Sequence, residues 1–191
     1  MQMADARMAI GIVEVDSIAL GVKSADAMLK MAAVELLDAY ATSPGKYLVV
    51  VGGDVASVSA SVEAGVAEAQ SSLLGQVLIA HLHEQVLPAM KGIPGTQELR
   101  AIGVVETATV ASVIRAADAA VKTAMVDLLE LRMARGLGGK GFVTFTGDVG
   151  SVQAGVEAAA AAATRDGALV ATAIIPAPHG DLKRKLIPGT R

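Results

Sequence analysis

Four groups of residues in this chain of 191 could do chemistry. Glu14 and Glu106 are carboxylates set in runs of β-branched and apolar residues. Paired carboxylates can act as acid and base, but in such surroundings they also accept hydrogen bonds from donors that folding would otherwise strand. His81 and His83 form a His-x-His pair; at a strand end they would share one face, as two metal ligands do. No acidic or cysteine neighbour completes such a site at matching spacing in the second copy, where Ala177 replaces His81. Ser43 lacks the Gly-x-Ser-x-Gly elbow of an activated nucleophile. Gly136-Leu137-Gly138-Gly139-Lys140 has the look of a phosphate-cradling loop, but Gly141 follows where Ser or Thr is required, and a strand rather than a helix is predicted next. The residues therefore point to no enzyme, no metal site and no cofactor.

Composition narrows the field further. Hydrophobic residues make up 53% of the chain, yet no apolar run approaches the roughly 20 residues of a membrane span. Two Phe, two Tyr and no Trp leave almost no platforms for stacking bases, and a net charge of −3 does not suit a phosphate backbone, so neither nucleic acid nor membrane is an expected partner. With no cysteine there is no disulfide, no thiolate nucleophile and no cluster held by the chain's own thiolates. Residues 1–8 carry Asp5 and Arg7 and lead into no long apolar core, so no secretory signal is expected and the cytosol is the expected compartment.

The elements that must position these residues are written twice. Ala9-Ile10-Gly11 recurs as Ala101-Ile102-Gly103, and the same shift superposes Glu14 on Glu106, Ala25-Asp26-Ala27 on Ala117-Asp118-Ala119, and Lys30 on Lys122. Beyond a small insertion, Gly45-Lys46 matches Gly139-Lys140 and Gly53-Asp54-Val55 matches Gly147-Asp148-Val149. Each copy is long enough for its own core, which predicts domains at 1–91 and 101–191 joined by a linker at 92–100. In the first copy, strands are expected at 8–15, 34–39, 46–51 and 73–80. Helices are expected from Ala25 behind Ser24, from Asp54 as an N-cap, and over 84–90. Thr42-Ser43-Pro44-Gly45 reads as the turn between the middle strands. The order β-α-β-β-α-β-α, repeated, predicts an α+β fold with an antiparallel-rich four-stranded sheet and helices in each half. A shared Gly-Lys at a strand-to-strand turn would suit a narrow opening lined by several subunits, and equally an ordinary hairpin.

Each copy resembles the bacterial microcompartment (BMC) shell domain. The resemblance is carried by the Ala-Ile-Gly-x-Val-Glu strand, the Ala-Asp-Ala-x-x-Lys helix, the Gly-Lys turn, the Gly-Asp-Val helix start and Pro176-Ala177-Pro178-His179. It covers nearly the whole chain, and the non-permuted order with two fused copies is similar to the tandem-domain, trimer-forming class. That resemblance implies two ferredoxin-like domains per chain and a homotrimer whose six domains imitate a hexamer. It also implies a structural, self-assembling tile in the shell of a microcompartment in the cytoplasm, meeting other shell proteins at its edges. Small polar metabolites would cross a central pore. The alternative is a pore-centred ligand, metal or electron-carrier protein of the same shell.

By the same resemblance, Thr42, Ser43, Pro44, Gly45 and Lys46 of one copy and Gly136, Leu137, Gly138, Gly139 and Lys140 of the other would line the pore. Lys30, Lys122, His81, His83, Ala177 and His179 would lie at tile edges. The Arg of the family's Pro-Arg-Pro-His pattern is replaced here by His81 and Ala177, which implies weaker or unequal edge contacts. Propanediol-utilisation members carry a cysteine before Pro-Gly-Lys, and three copies ligate an iron–sulfur cluster. Ser43 stands at that place, and a neutral hydroxyl does not replace a thiolate on iron, which implies a pore of serine hydroxyls without a cluster.

Overall fold

The computed structural model describes residues 8–96, 98–134 and 136–186. The first copy runs β1 (Ala9–Val15), α1 (Ile18–Met31), β2 (Glu35–Thr42), β3 (Lys46–Gly53), α2 (Val55–Ala69), β4 (Leu73–Ile79) and α3 (Val86–Met90). The second repeats it as β5 (Ala101–Thr107), α4 (Val110–Thr123), β6 (Val126–Met133), β7 (Gly141–Gly147), α5 (Val149–Arg165), β8 (Leu169–Ile175) and α6 (Gly180–Leu186). The two sheets have orders β2-β3-β1-β4 and β6-β7-β5-β8, antiparallel at every pairing, which is the four-stranded antiparallel sheet the patterning predicts and the ferredoxin-like arrangement the resemblance implies. The chain divides into two compact units. One comprises residues through Leu82 with Thr109–Ala111 and Ala134–Gly139; the other comprises His83–Ala108, Ser112–Met133 and residues from Lys140 onward.

In the first unit β1 is central and buried along its length, which is why it alternates so poorly. Its Gly11 lets α2 come close: a Cβ there would lie 2.4 Å from Val62 Cγ2 and 2.8 Å from Val58 Cγ1. Val13, Met28, Val49, Val51, Val58 and Val62 fill the core between sheet and helices. Helix α1 begins at Ile18, not behind Ser24 as the patterning suggests. The cap is Ser17, whose hydroxyl accepts from the Leu20 N–H at 3.3 Å. Gly21 lies against Tyr47, and with Ser24, Ala25 and Met28 it forms the buried face of α1. Asp54 caps α2 as expected, accepting from the Ser57 N–H at 3.0 Å.

The second unit repeats this plan with different packing. Phe145 takes the register position that Val51 holds in the first sheet and lies fully buried over Gly103. Asp148, the counterpart of Asp54, does not cap α5; its carboxylate pairs with Arg100 at 2.5 Å. Strand β6 lies at a sheet edge, and preceding chain satisfies part of it. Gln85 Oε1 accepts from the Leu128 N–H at 2.9 Å, and the Gly95 N–H donates to the Leu128 carbonyl at 2.7 Å. Strand β8, the opposite edge, is exposed along nearly all its length.

Candidate functional site

The β2–β3 turn is tight. The Gly45 N–H donates to the Thr42 carbonyl at 2.9 Å, the Ser43–Pro44 peptide is cis, and Ser43, Pro44 and Gly45 are exposed. Thr42 is buried at the end of β2. The counterpart loop is built differently. Gly136, Gly138 and Gly139 all have positive φ, as does Ala134, and the Leu137 N–H closes a turn on the Ala134 carbonyl at 3.0 Å. Gly136 and Gly138 are exposed, Leu137 is half-buried and Gly139 is buried. A strand, β7, follows Lys140, as the failed phosphate-loop pattern requires. Arg135 lies outside the described residues.

These two loops meet within the first unit. Lys46 Nζ donates to the Gly139 carbonyl at 3.2 Å, and a Cβ on Gly139 would lie 2.8 Å from Lys46 Cε and Nζ. Lys46 also donates to Glu14 Oε1 at 3.1 Å. Glu14 is fully buried, and its Oε2 accepts the Val110 N–H at 2.8 Å and the Ala111 N–H at 3.2 Å. The carboxylate thus serves backbone and side-chain donors together. Those two amides open α4 and have no acceptor within the helix, and a negative charge there also faces the positive end of the helix dipole. In the second unit Lys140 Nζ bonds Glu106 Oε1 at 2.8 Å, with both groups partly exposed.

Reading the carboxylates and the glycine loops as separate groups missed this link. Its signal is present in the sequence: the Glu–Lys pair recurs in both copies, Glu14 with Lys46 and Glu106 with Lys140. Such a pair across neighbouring strands joins the loop lysine to the sheet.

The remaining residues of interest lie elsewhere. Lys30 pairs with Asp26 at 2.6 Å on an exposed turn of α1. Lys122 pairs with Asp118 at 2.5 Å, and Asp118 also accepts the His83 N–H at 2.9 Å. His81 and His83 follow β4 rather than lying in it, because that strand stops at Ile79. His83 Nδ1 accepts the Gln85 N–H at 3.3 Å. Ala177 and His179 are exposed beyond β8, where His179 Nδ1 accepts the Asp181 N–H at 3.2 Å. Among the described residues no group of three or more His, Cys, Asp or Glu could hold a metal, and no helix is long and apolar enough to cross a membrane.

A family model for the BMC domain matches residues 9–83 and 101–178, one match for each copy. The chain is similar throughout to the bacterial microcompartment shell protein PduT of Citrobacter freundii, at 41% identity over 181 residues, covering 95% of this chain and 98% of that protein. The shell protein EutM of Salmonella typhimurium aligns at 41% identity over 85 residues, 44% of this chain and 86% of its own. The crystal structure of a microcompartment protein from Desulfitobacterium hafniense superposes with a TM-score of 0.83 at 49% identity, covering 94% of this chain and 99% of that one. The chain belongs to the BMC-domain family. Within it, it is a tandem-domain microcompartment shell protein of the PduT type, a structural protein and not an enzyme. The donor set at Ser43 does not fit a protein-held iron–sulfur cluster: the turn offers a hydroxyl and backbone groups, and the chain contains no cysteine.

Proposed function

We propose that this chain assembles as a homotrimer, six BMC domains forming one pseudohexameric tile, with the Thr42–Lys46 and 136–140 loops around a central pore for small polar metabolites. The observation that supports this reading is the joining of the two loops through Lys46 and the Gly139 carbonyl, which brings them together. Three copies of Ser43 would then present hydroxyls to the passage, beside the backbone N–H groups of the glycine turns, a lining suited to polar or anionic solutes. The two kinds of tile edge would differ. Lys30 stands on an exposed ion pair, whereas Lys122 is tied to a buried carboxylate that is itself held by the His83 amide. Other shell proteins would dock along these edges.

The mass in solution tests the assembly: light scattering should give about 57.6 kDa, three times the 19.2 kDa chain, and sheets or arrays should form at higher concentration. A monomer that never assembles would refute it. The pore position is tested separately with Ser43→Cys. Anaerobic reconstitution with iron and sulfide should leave the unmodified chain colourless and give the variant a cluster, since three axial thiolates would then be available. A variant that stays colourless would remove Ser43 from the axis.

A further inference from the structure

The contact that Glu14 makes has an unfilled counterpart. Glu106 holds the same register position in β5 that Glu14 holds in β1: Glu14 lies opposite Leu48 and Gly75, Glu106 opposite Phe142 and Ala171. Each carries its lysine. Glu14 is 0% exposed and serves the first two amides of α4, whereas the Glu106 side chain is 35% exposed. The repeat places Ile18 and Ala19 of α1 where Val110 and Ala111 stand in α4. Among the described residues no carboxylate accepts from the Ile18 or Ala19 N–H groups; the α1 cap, Ser17, serves Leu20.

Burial follows the same division. Val110 and Ile114 are 0% exposed, while their counterparts Ile18 and Val22 are 46% and 53% exposed. Val77 and Ile79 of β4 are buried, while their counterparts in β8, Ala173 and Ile175, are exposed and half-exposed. The second unit therefore offers a carboxylate beside an open apolar strand, and the first offers a helix start whose first two amides no carboxylate serves, beside two apolar side chains. Two unlike, complementary patches on one chain define a heterologous contact, which closes into a ring or runs on as a filament.

We infer that Glu106 receives the Ile18 and Ala19 N–H groups of a second copy of this chain, capping the neighbour's α1 as Glu14 caps α4 in its own chain. Lys140 then reaches the neighbour's Gly45 carbonyl, as Lys46 reaches Gly139. This rests on the homotrimer reading, and closes it through a named contact repeated at each subunit junction.

The test uses the full chain with Glu106→Ala and Glu106→Gln. Light scattering over a dilution series gives the protomer concentration at half-dissociation, circular dichroism confirms folding, and hydrogen exchange follows peptides spanning Ile18–Val22. Loss of a charge-assisted acceptor for two amides should raise the half-dissociation concentration of Glu106→Ala by roughly tenfold or more, with a smaller rise for Glu106→Gln. Exchange over Ile18–Val22 should be slow in the wild-type trimer and faster in both folded variants. A wild-type trimer whose variants dissociate and exchange as it does would overturn the Glu106 contact and leave the trimer standing. A wild-type chain that stays monomeric throughout would overturn the trimer reading, and the contact with it.

Discussion

Removing the Glu14 carboxylate should be among the most damaging single changes in this protein. Glu14→Ala strips the acceptor from the Val110 and Ala111 amides and leaves the Lys46 ammonium, itself only 16% exposed, without that carboxylate. Hydrogen bonds to a charged group contribute about 1.5–3 kcal/mol each, but three bonds to one carboxylate are not additive. Breaking one side of a buried ion pair costs about 3–5 kcal/mol, and this is the better guide. For a chain of this size each kcal/mol corresponds to about 2–4 °C, so the midpoint should fall by about 6–20 °C. Glu14→Gln keeps the volume and one carbonyl acceptor, so it should fall by roughly half as much. Adding Lys46→Met to Glu14→Gln should recover part of the loss, because the largely buried ammonium that has lost its carboxylate is then gone. The assay is thermal unfolding at fixed protomer concentration, since assembly would otherwise shift the midpoint by mass action. A Glu14→Ala midpoint within about 2–4 °C of wild type would refute the buried cap, as the loss would then be only about 1 kcal/mol.

Two other perturbations separate the parts of the site. Gly45 and Gly139 share a positive φ, of 94° and 87°, but Gly45 faces open space while Gly139 abuts Lys46. Measured at protomer concentrations low enough to keep the chain monomeric, so that no neighbour's Lys140 lies at Gly45, Gly45→Ala should cost only the left-handed backbone strain of about 1–2 kcal/mol, and Gly139→Ala roughly 2–4 kcal/mol because it also displaces Lys46. Equal losses in urea unfolding would show that Lys46 is not pinned at Gly139. The Asp54 carboxyl is held below its ordinary pKa of 3.8, chiefly by the Ser57 side chain and backbone N–H. Its contribution is full above the unfolded-state pKa and fades as pH falls through the folded one, so the wild-type advantage over Asp54→Asn should shrink on acidification below about pH 4. Thermal midpoints from pH 7 to pH 3 measure this, and a constant difference would contradict it.

Much of the fold is legible in the sequence because the repeat checks every assignment twice. Strand, turn and second-helix positions recur in both copies, and a segment read ambiguously in one is settled by the other. The start of α1 was hidden because Gly21 and Ser24 look like punctuation; only the approach of Tyr47 explains why small residues stand there. The loop residues were legible as turns, but not the ammonium that joins them, since Lys46 and Gly139 lie 93 residues apart. Likewise Asp54 and Asp148 read alike, yet only one is a cap, because Arg100 supplies a competing cation to the other.

The difference between Glu14 and Glu106 gives the duplication a physical meaning. For unfused domains, every carboxylate-to-helix contact around a ring has to be made between molecules, each association opposed by lost translational and rotational freedom. Fusion makes the Glu14 contact intramolecular, so on the trimer reading half of the contacts would form with the fold itself and only the proposed Glu106 set would remain for assembly. Fusion also releases the two copies from identity. Thr42-Ser43-Pro44-Gly45 and Gly136-Leu137-Gly138-Gly139 can then differ in glycine content and in the group offered at the tip. On the trimer reading the opening is three-fold rather than six-fold, and a substitution at Ser43 changes three positions around it while leaving the glycine loops untouched. A six-fold ring of identical domains cannot make that change, because each substitution falls on all six at once.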